Sequence, residues 1–374
     1  MIDARRLWPA AALALAFCAT AVAAAAEPGD GATDAEGAGS VDARANARVS
    51  VYQDDDATTV VTSAVRARAA FGDSVALRAG ALVDVVSSAS VDVVAAATRA
   101  FTEQRDEFQA GADLRGGDLA LSADYARSDE NDYGSHRLSI GGSMDLAKRS
   151  TTLSAGAGLV LSNVGRAGDD AFDETADSRT LTVAIAQVLD ASTVVSFGYA
   201  GQIDGGLLSS PYRYVRLAGG TTVPESHPKS RFRHALVVRA RRAAGQRVAV
   251  GLDERLYLDS WGVEASTTNA VLAVELWRDF DLEVRNRFHV QSGASFYRRA
   301  YQERLAWMTA DRELGPLVDD FIGPAIVWQS GRLGPFDSIR LDLRADAFYY
   351  RFFDSDRIES RAGTMLAAGL EATL

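Results

Sequence analysis

Residues 338–351 read SIRLDLRADAFYYR. Alternate positions fall into two sets: Ile339, Leu341, Leu343, Ala345, Ala347 and Tyr349 on one side, Arg340, Asp342, Arg344, Asp346, Phe348 and Tyr350 on the other. A period of two is the β-strand period, because successive side chains leave opposite faces of the pleat. What the apolar face meets, a second sheet or lipid, depends on how many such segments there are and how they are joined.

Sixteen strands are predicted, at 43–53, 57–70, 74–87, 104–114, 118–127, 134–146, 150–162, 178–189, 192–203, 230–242, 246–258, 262–277, 280–296, 320–329, 337–351 and 357–374. Even-numbered connections are short, such as FGDS, RGG, AKRS and DAS. Most odd-numbered connections are long and polar, including 204–229 and 297–319. Short turns at one end and long loops at the other are the pattern of an outer-membrane barrel, and a two-sheet sandwich has no reason to segregate its loops so. The expected fold is all-β, a transmembrane antiparallel β-barrel of about 16 strands, with 14 as the alternative. Glu254 and Asn286 fall on the nominally apolar face, which implies an interfacial depth or a bulge.

The first 26 residues have Arg5 and Arg6, an apolar run and Ala24-Ala25-Ala26. This is the make-up of a secretory signal peptide, 1–26. The only cysteine, Cys18, lies within it, so a mature chain has no disulfide, thiol nucleophile or cysteine metal site. Residues 27–42, rich in Gly, Ala and acid, read as a disordered leader, and 43–374 as the barrel. No other apolar run is long enough for a spanning helix, so residence in a membrane requires a closed barrel. The net charge of −11 argues against nucleic-acid binding. The expected partners are outer-membrane lipid, the barrel-assembly machinery and small solutes. Leu374 stands where such barrels commonly end in an aromatic residue read by the insertion machinery.

Several stretches in the middle of the chain occur in a distinctive order: KRSTTLSAG at 148–156, QVLD at 187–190, GGLLSSPYRYV at 205–215, HPKSRFRHAL at 227–236 and YLDSWGVEAST at 257–267. In these the chain resembles a bacterial outer-membrane family known only as a domain of unknown function, number three-five-seven-zero. The resemblance implies an outer-membrane location and supplies no activity. Where the family commonly has Ser-His-Thr after Trp-Gly, this chain has Ala265, Ser266 and Thr267.

Alternation assigns a set of charges to the lumen: Arg44, Arg48, Arg66, Arg68, Arg78, Asp84, Asp253, Arg255, Glu283, Arg285, Arg287, Arg340, Asp342, Arg344 and Asp346, with Asp113, Asp124, Arg239 and Arg361 beside them. Arginine predominates, which suits an anion-favouring pore, while cross-strand Arg–Asp pairing would stiffen the wall instead. Aromatics near strand ends, Tyr52, Phe71, Tyr257, Trp261, Trp277, Phe280, Phe296, Tyr297, Tyr349, Phe352 and Phe353, suggest interfacial girdles. Residues 298–318 place Tyr301, Leu305 and Met308 on one helical face, predicting a helix that lies in or on the mouth.

Enzyme chemistry finds little support. Each of His136, His227 and His289 has a serine three residues on, which in a strand is the opposite face. A hydroxyl partner on a neighbouring strand stays open, and His234 is assigned to loop-end packing. Acid runs at Asp54-Asp55-Asp56, Asp129-Glu130-Asp132, 169–177 and Asp354-Asp356 read as solvated loops, with Ca²⁺ binding as the alternative. No cofactor and no catalytic residue are expected. A porin-like channel or scaffold is the leading reading. A loop-based binding or assembly protein, and a barrel hydrolase, are the others.

Overall fold

Strands with one apolar and one ionic face have no stable flat arrangement in lipid, and closing the sheet on itself removes both unpaired edges. The computed structural model describes residues 41–88, 101–355 and 358–374. The strands are β1 (Val41–Asp54), β2 (Thr58–Phe71), β3 (Val75–Ser88), β4 (Phe101–Gly116), β5 (Leu119–Asp129), β6 (Tyr133–Leu146), β7 (Thr151–Val164), β8 (Glu174–Asp190) and β9 (Thr193–Gly206). A short hairpin follows, β10 (Tyr214–Arg216) and β11 (Thr222–Pro224). Then come β12 (Ser230–Ala243), β13 (Val248–Asp259), β14 (Glu264–Trp277), β15 (Phe280–Gln291), β16 (Leu317–Gln329), β17 (Ser338–Phe352) and β18 (Ser360–Thr373).

Sixteen of these form one closed antiparallel barrel in which each strand pairs with its sequence neighbours. β9 pairs β12 across the β10–β11 hairpin, and β1 closes on β18 with Arg44 opposite Thr373 and Val51 opposite Leu366. Among the described residues the register slips near two short turns, between Val188 and Asp190 and between Glu275 and Trp277. The expected faces of β17 hold. Leu343 is 63% exposed on the outside, and Phe348, on the opposite side, is 4% exposed.

The turns at the short end rest on local backbone chemistry. Gly72 and Gly117 take positive φ in the β2–β3 and β4–β5 turns. The β6–β7 turn, Ala147–Arg149, has left-handed φ of 49°, 57° and 67° without a glycine, at about 1–2 kcal/mol per residue. Ser150 Oγ closes it by donating to Ala147 O at 2.8 Å.

Several expectations are corrected. β1 begins at Val41, inside the stretch read as leader; the rest of that stretch and the signal peptide lie outside the described residues. β15 stops at Gln291 and β16 starts at Leu317. Residues 298–318 form no α-helix: 298–316 is irregular, with one short 3-10 turn at Arg312–Leu314, and Leu317 already belongs to β16. Tertiary packing overrides the helical spacing there. Tyr301 and Met308 are buried against Val215, while Leu305 and Trp307 face out. The Tyr301 hydroxyl donates to Phe296 O at 2.5 Å and accepts from Thr309 N at 2.8 Å, taking up backbone groups that a helix would use for itself.

The two anomalous outer residues need no bulge. Glu254 accepts hydrogen bonds from Ser266 Oγ and Thr268 Oγ1, both at 2.6 Å, and Asn286 Nδ2 donates to Asp320 Oδ1 at 2.7 Å. All five side chains share the outer face, so each polar group is satisfied by a cross-strand neighbour. The girdle expectation holds for exposed Phe71, Trp277, Tyr349 and Phe353. Tyr52 instead stacks on Phe348 at 5.0 Å on the inner side, Tyr257 hydrogen-bonds Asp259, and Phe352 is buried. Trp261, Phe296 and Tyr297 belong to a buried cluster among the loops.

Candidate functional site: the charged inner face and its capped mouth

Alternation puts two very different surfaces inside the barrel. Along β5–β8 the outer face carries Leu121, Ile140, Leu153 and Leu181, and the inner positions between them are Ala120, Ser122, Gly141, Ser143, Ser154, Gly156, Thr182 and Ala184. These small residues line a cavity of about 560 Å³ that runs to Arg68 and Asp113 on the adjoining strands.

The remaining wall is ionic, and most of the expected charges are paired. Arg48 reaches Asp342 at 2.7 Å, Arg44 lies 3.7 Å from Glu371, and Arg78 lies between Asp113 (2.9 Å) and Asp124 (3.1 Å). Arg68 is 3.9 Å from Asp113, and Asp84 pairs with Arg105. Asp253 takes both Arg239, at 3.9 Å, and Arg241. Glu283 holds Arg285 at 2.5 Å, Arg287 pairs with Asp319, and Arg255 lies over the Tyr257 ring. Among the described residues Arg66, Arg340, Arg344 and Asp346 have no ion-pair partner within 4.0 Å. The structure adds Arg105, Glu107, Arg137, Arg241 and Asp319 to the set read from sequence. Arg105 and Glu107 share parity with Asp113, so the alternation already carried that information.

Glycines make the cross-strand reach possible at two of these points. A Cβ on Gly111 would sit 2.3 Å from Asp124 Oδ1, and one on Gly323 would meet Asp346 Oδ1 at the same distance. Only a bare backbone lets those carboxylates lie flat across the neighbouring strand.

At the long-loop end the inner face turns aromatic and the loops fold over it. Phe321, Phe348 and Tyr350 pack against one another, and the Arg361 guanidinium lies 4.5 Å above the Tyr350 ring. Loop residue Arg312 reaches Asp56 in the β1–β2 turn at 2.7 Å, and Glu313 pairs with Arg361 at 3.4 Å. Gln291, on the inner face of β15, donates to the carbonyls of Glu313 (2.9 Å) and Gly315 (2.8 Å). The segment 311–315 is thereby fastened to the inner rim.

The family-like stretches converge here. Asp259 accepts from Trp261 N (2.9 Å), Val263 N (3.0 Å), the Tyr257 hydroxyl (2.7 Å) and the Arg231 guanidinium, with its side chain fully buried. Arg231 also lies 4.3 Å above the Trp261 ring, and Trp261 Nε1 donates to Ser230 O at 3.0 Å. Gly262 follows with φ of 87°, a conformation that favours glycine. Asp-x-Trp-Gly and Ser-Arg-x-Arg-His are therefore two halves of one knot. Beside it His227 donates from Nδ1 to Leu208 O at 3.0 Å, has Nε2 3.3 Å from Glu225, and packs on Trp261 and Phe296. Glu225 in turn accepts from Thr309 Oγ1 and Ala310 N, each at 3.0 Å, tying the loop 207–229 to the loop 292–316.

Of the other histidines, His234 departs from expectation, and His289 has the neighbouring-strand hydroxyl that the sequence left open. His234 is exposed on the outer face, hydrogen-bonded to the Tyr199 hydroxyl at 2.8 Å, and is not loop-end packing. His136 pairs in the same way with Tyr125 at 2.8 Å. His289 Nδ1 lies 2.7 Å from Thr267 Oγ1 on the neighbouring strand. Thr267 is only 7% exposed, so this hydroxyl does not present itself to a substrate. Among the acid runs, Glu130 and Asp132 come together with Glu103, their carboxylate oxygens within 4.8 Å. Burial and then repulsion from Glu103 push the Glu130 carboxyl above its usual range. Asp132 also accepts from the Tyr212 hydroxyl.

Similar structures are barrels. A bacterial polysaccharide outer-membrane secretin superposes with a TM-score of 0.49 at 10% identity, over 91% of this chain and 99% of that one. A loop-deletion mutant of OmpT, an outer-membrane protein of Vibrio cholerae, gives 0.46 at 10% identity, over 90% and 100%. The siderophore receptor PirA from Pseudomonas aeruginosa gives 0.42 at 9%, over 83% of this chain and 56% of the receptor, so the chain spans about half of that protein. No curated protein matches the sequence. The family described as "Protein of unknown function (DUF3570)" matches residues 98–321, which contain every family-like stretch, and the chain belongs to that family.

Proposed function

We propose that this protein is a passive channel of the bacterial outer membrane, delivered by a signal peptide and passing small charged solutes through an arginine-lined lumen. The observation that carries the reading is the inner surface. One arc is Gly, Ala, Ser and Thr facing a cavity of about 560 Å³, and the rest is ionic, an inner lining suited to water. A barrel of sixteen strands encloses more than its side chains fill. Paired Arg and Asp stiffen the wall, and unpaired Arg66, Arg340 and Arg344 bias it toward anions.

The test is single-channel recording in planar bilayers with the refolded protein. Ohmic steps are expected, growing larger when residues 298–310 are deleted and the mouth loosens. Silence from both proteins refutes the channel. A second reading, a surface receptor or assembly protein working through its loops, draws on the packed cap formed by 207–229 and 292–316. That reading gains if both proteins are silent while the purified chain remains a heat-modifiable barrel on gels. No catalytic role is assigned to any residue.

A further inference from the structure

The short-turn half of the lumen has an arrangement that pairing alone does not explain. Arg44, Arg68 and Arg78 occupy directly opposed positions on β1, β2 and β3. Like charges placed so repel one another. Arg66 stands one step further along β2, opposite Asn46. Three carboxylates, Glu371, Asp113 and Asp124, serve Arg44, Arg68 and Arg78, and among the described residues Arg66 has none. Arg78 takes the good geometry with Asp113 and Asp124, while Arg44 and Arg68 are left at 3.7 and 3.9 Å from their acids. Among the described residues Arg44, Arg66 and Arg68 donate no side-chain hydrogen bond, and all three are exposed on the inner face. Each guanidinium carries five N–H donors in a planar fork that matches an oxyanion. They surround a cavity of about 300 Å³ whose wall is completed by Asn46 and Gln109.

Gly80 and Gly111 shape this pocket. A Cβ on Gly80 would lie 2.5 Å from Gln109 Nε2, and one on Gly111 2.3 Å from Asp124 Oδ1. Both glycines draw a polar side chain flat against the wall, so space in front of the arginines stays open. We infer that Arg44, Arg66 and Arg68 form a binding site for a small solute bearing a phosphate or carboxylate group, oriented by Arg78 and its acids. The inference builds on the solute-channel reading but concerns binding, which is measured without flux.

Equilibrium dialysis of the refolded full-length barrel in low salt tests it, with labelled inorganic phosphate and labelled succinate as separate probes. Saturable binding of at least one probe is expected, and the stronger probe identifies the group recognised. R66Q/R68Q loses binding by about tenfold or more, the size expected for lost charge-assisted hydrogen bonds. R66K/R68K, which keeps the charge and removes the fork, loses part of it. R332Q, on a short-end turn, changes nothing. Heat-modifiable migration establishes that each variant is folded, and the lysine pair decides the matter if the glutamine pair is not. Absence of saturable binding for both probes, or equal affinity in the folded double variants, overturns the site. Binding without conductance sinks the channel and leaves the site standing, and conductance without binding does the reverse.

Discussion

At the long-loop end, Asp259 is buried with four residues donating to it; at the short-turn end, the exposed Arg68 side chain stands 3.9 Å from its nearest acid and, among the described residues, donates no hydrogen bond. The same barrel thus treats charge in two ways. A buried carboxylate must be fully saturated, because removing it from water is costly unless every lone pair is met. A guanidinium facing a wet lumen is under no such demand and stays available to a solute. The mouth buries this carboxylate among its donors, and the opposite half leaves its arginines exposed.

Substitutions at the two ends should separate these plans. Asp259→Ala removes the acceptor of two loop amides and leaves the Arg231 side chain, only 12% exposed, without its counter-charge. A loss of about 3–5 kcal/mol is expected, measured by urea unfolding in micelles. A loss below about 1 kcal/mol would show that the knot is not under strict demand. Met308→Ala opens a cavity in the cluster with Val215 and Tyr301. A loss of about 2–3 kcal/mol is expected, near the lower bound for core truncations because a loop can settle into the space. Protease cleavage within 292–316 should rise with it, and an unchanged cleavage pattern would dissociate the cluster from the order of the cap. Arg68→Ala, at the other end, should stay within about 0.5 kcal/mol of the parent protein.

The smallest effect concerns Glu130, in the β5–β6 turn. Its carboxyl is raised by burial and by Glu103, so the folded state holds its proton more tightly than the unfolded chain. The resulting stabilisation is complete below the ordinary value of 4.5 and is lost as the pH rises through the elevated one. Glu130→Gln should therefore reduce the difference in melting temperature between pH 4 and pH 7. A difference that stays the same or grows would remove Glu130 from that pH dependence.

Much of the barrel was legible in residue order because alternation is a local property. SIRLDLRADAFYYR declares which side chains face which way without reference to any other strand, and sixteen such segments with segregated loops leave closure as the available solution. The same alternation groups the charges on one face of each strand. It could not say which of them pair, since Arg48 and Asp342 are 294 residues apart and meet only because β1 closes on β18.

The cap was illegible for a related reason. Tyr301, Leu305 and Met308 have helical spacing, yet two of them are anchored by Val215 and by a hydroxyl bonded to backbone, partners that no local pattern reveals. Likewise the sequence assigned loop-end packing to His234, and the fold instead buries His227 beside Trp261 and leaves His234 outside. Local periodicity determined the strands and their faces, because backbone geometry acts over neighbouring residues. Closure, pairing and loop packing were decided by the tertiary structure, because they depend on distances between residues far apart in the chain.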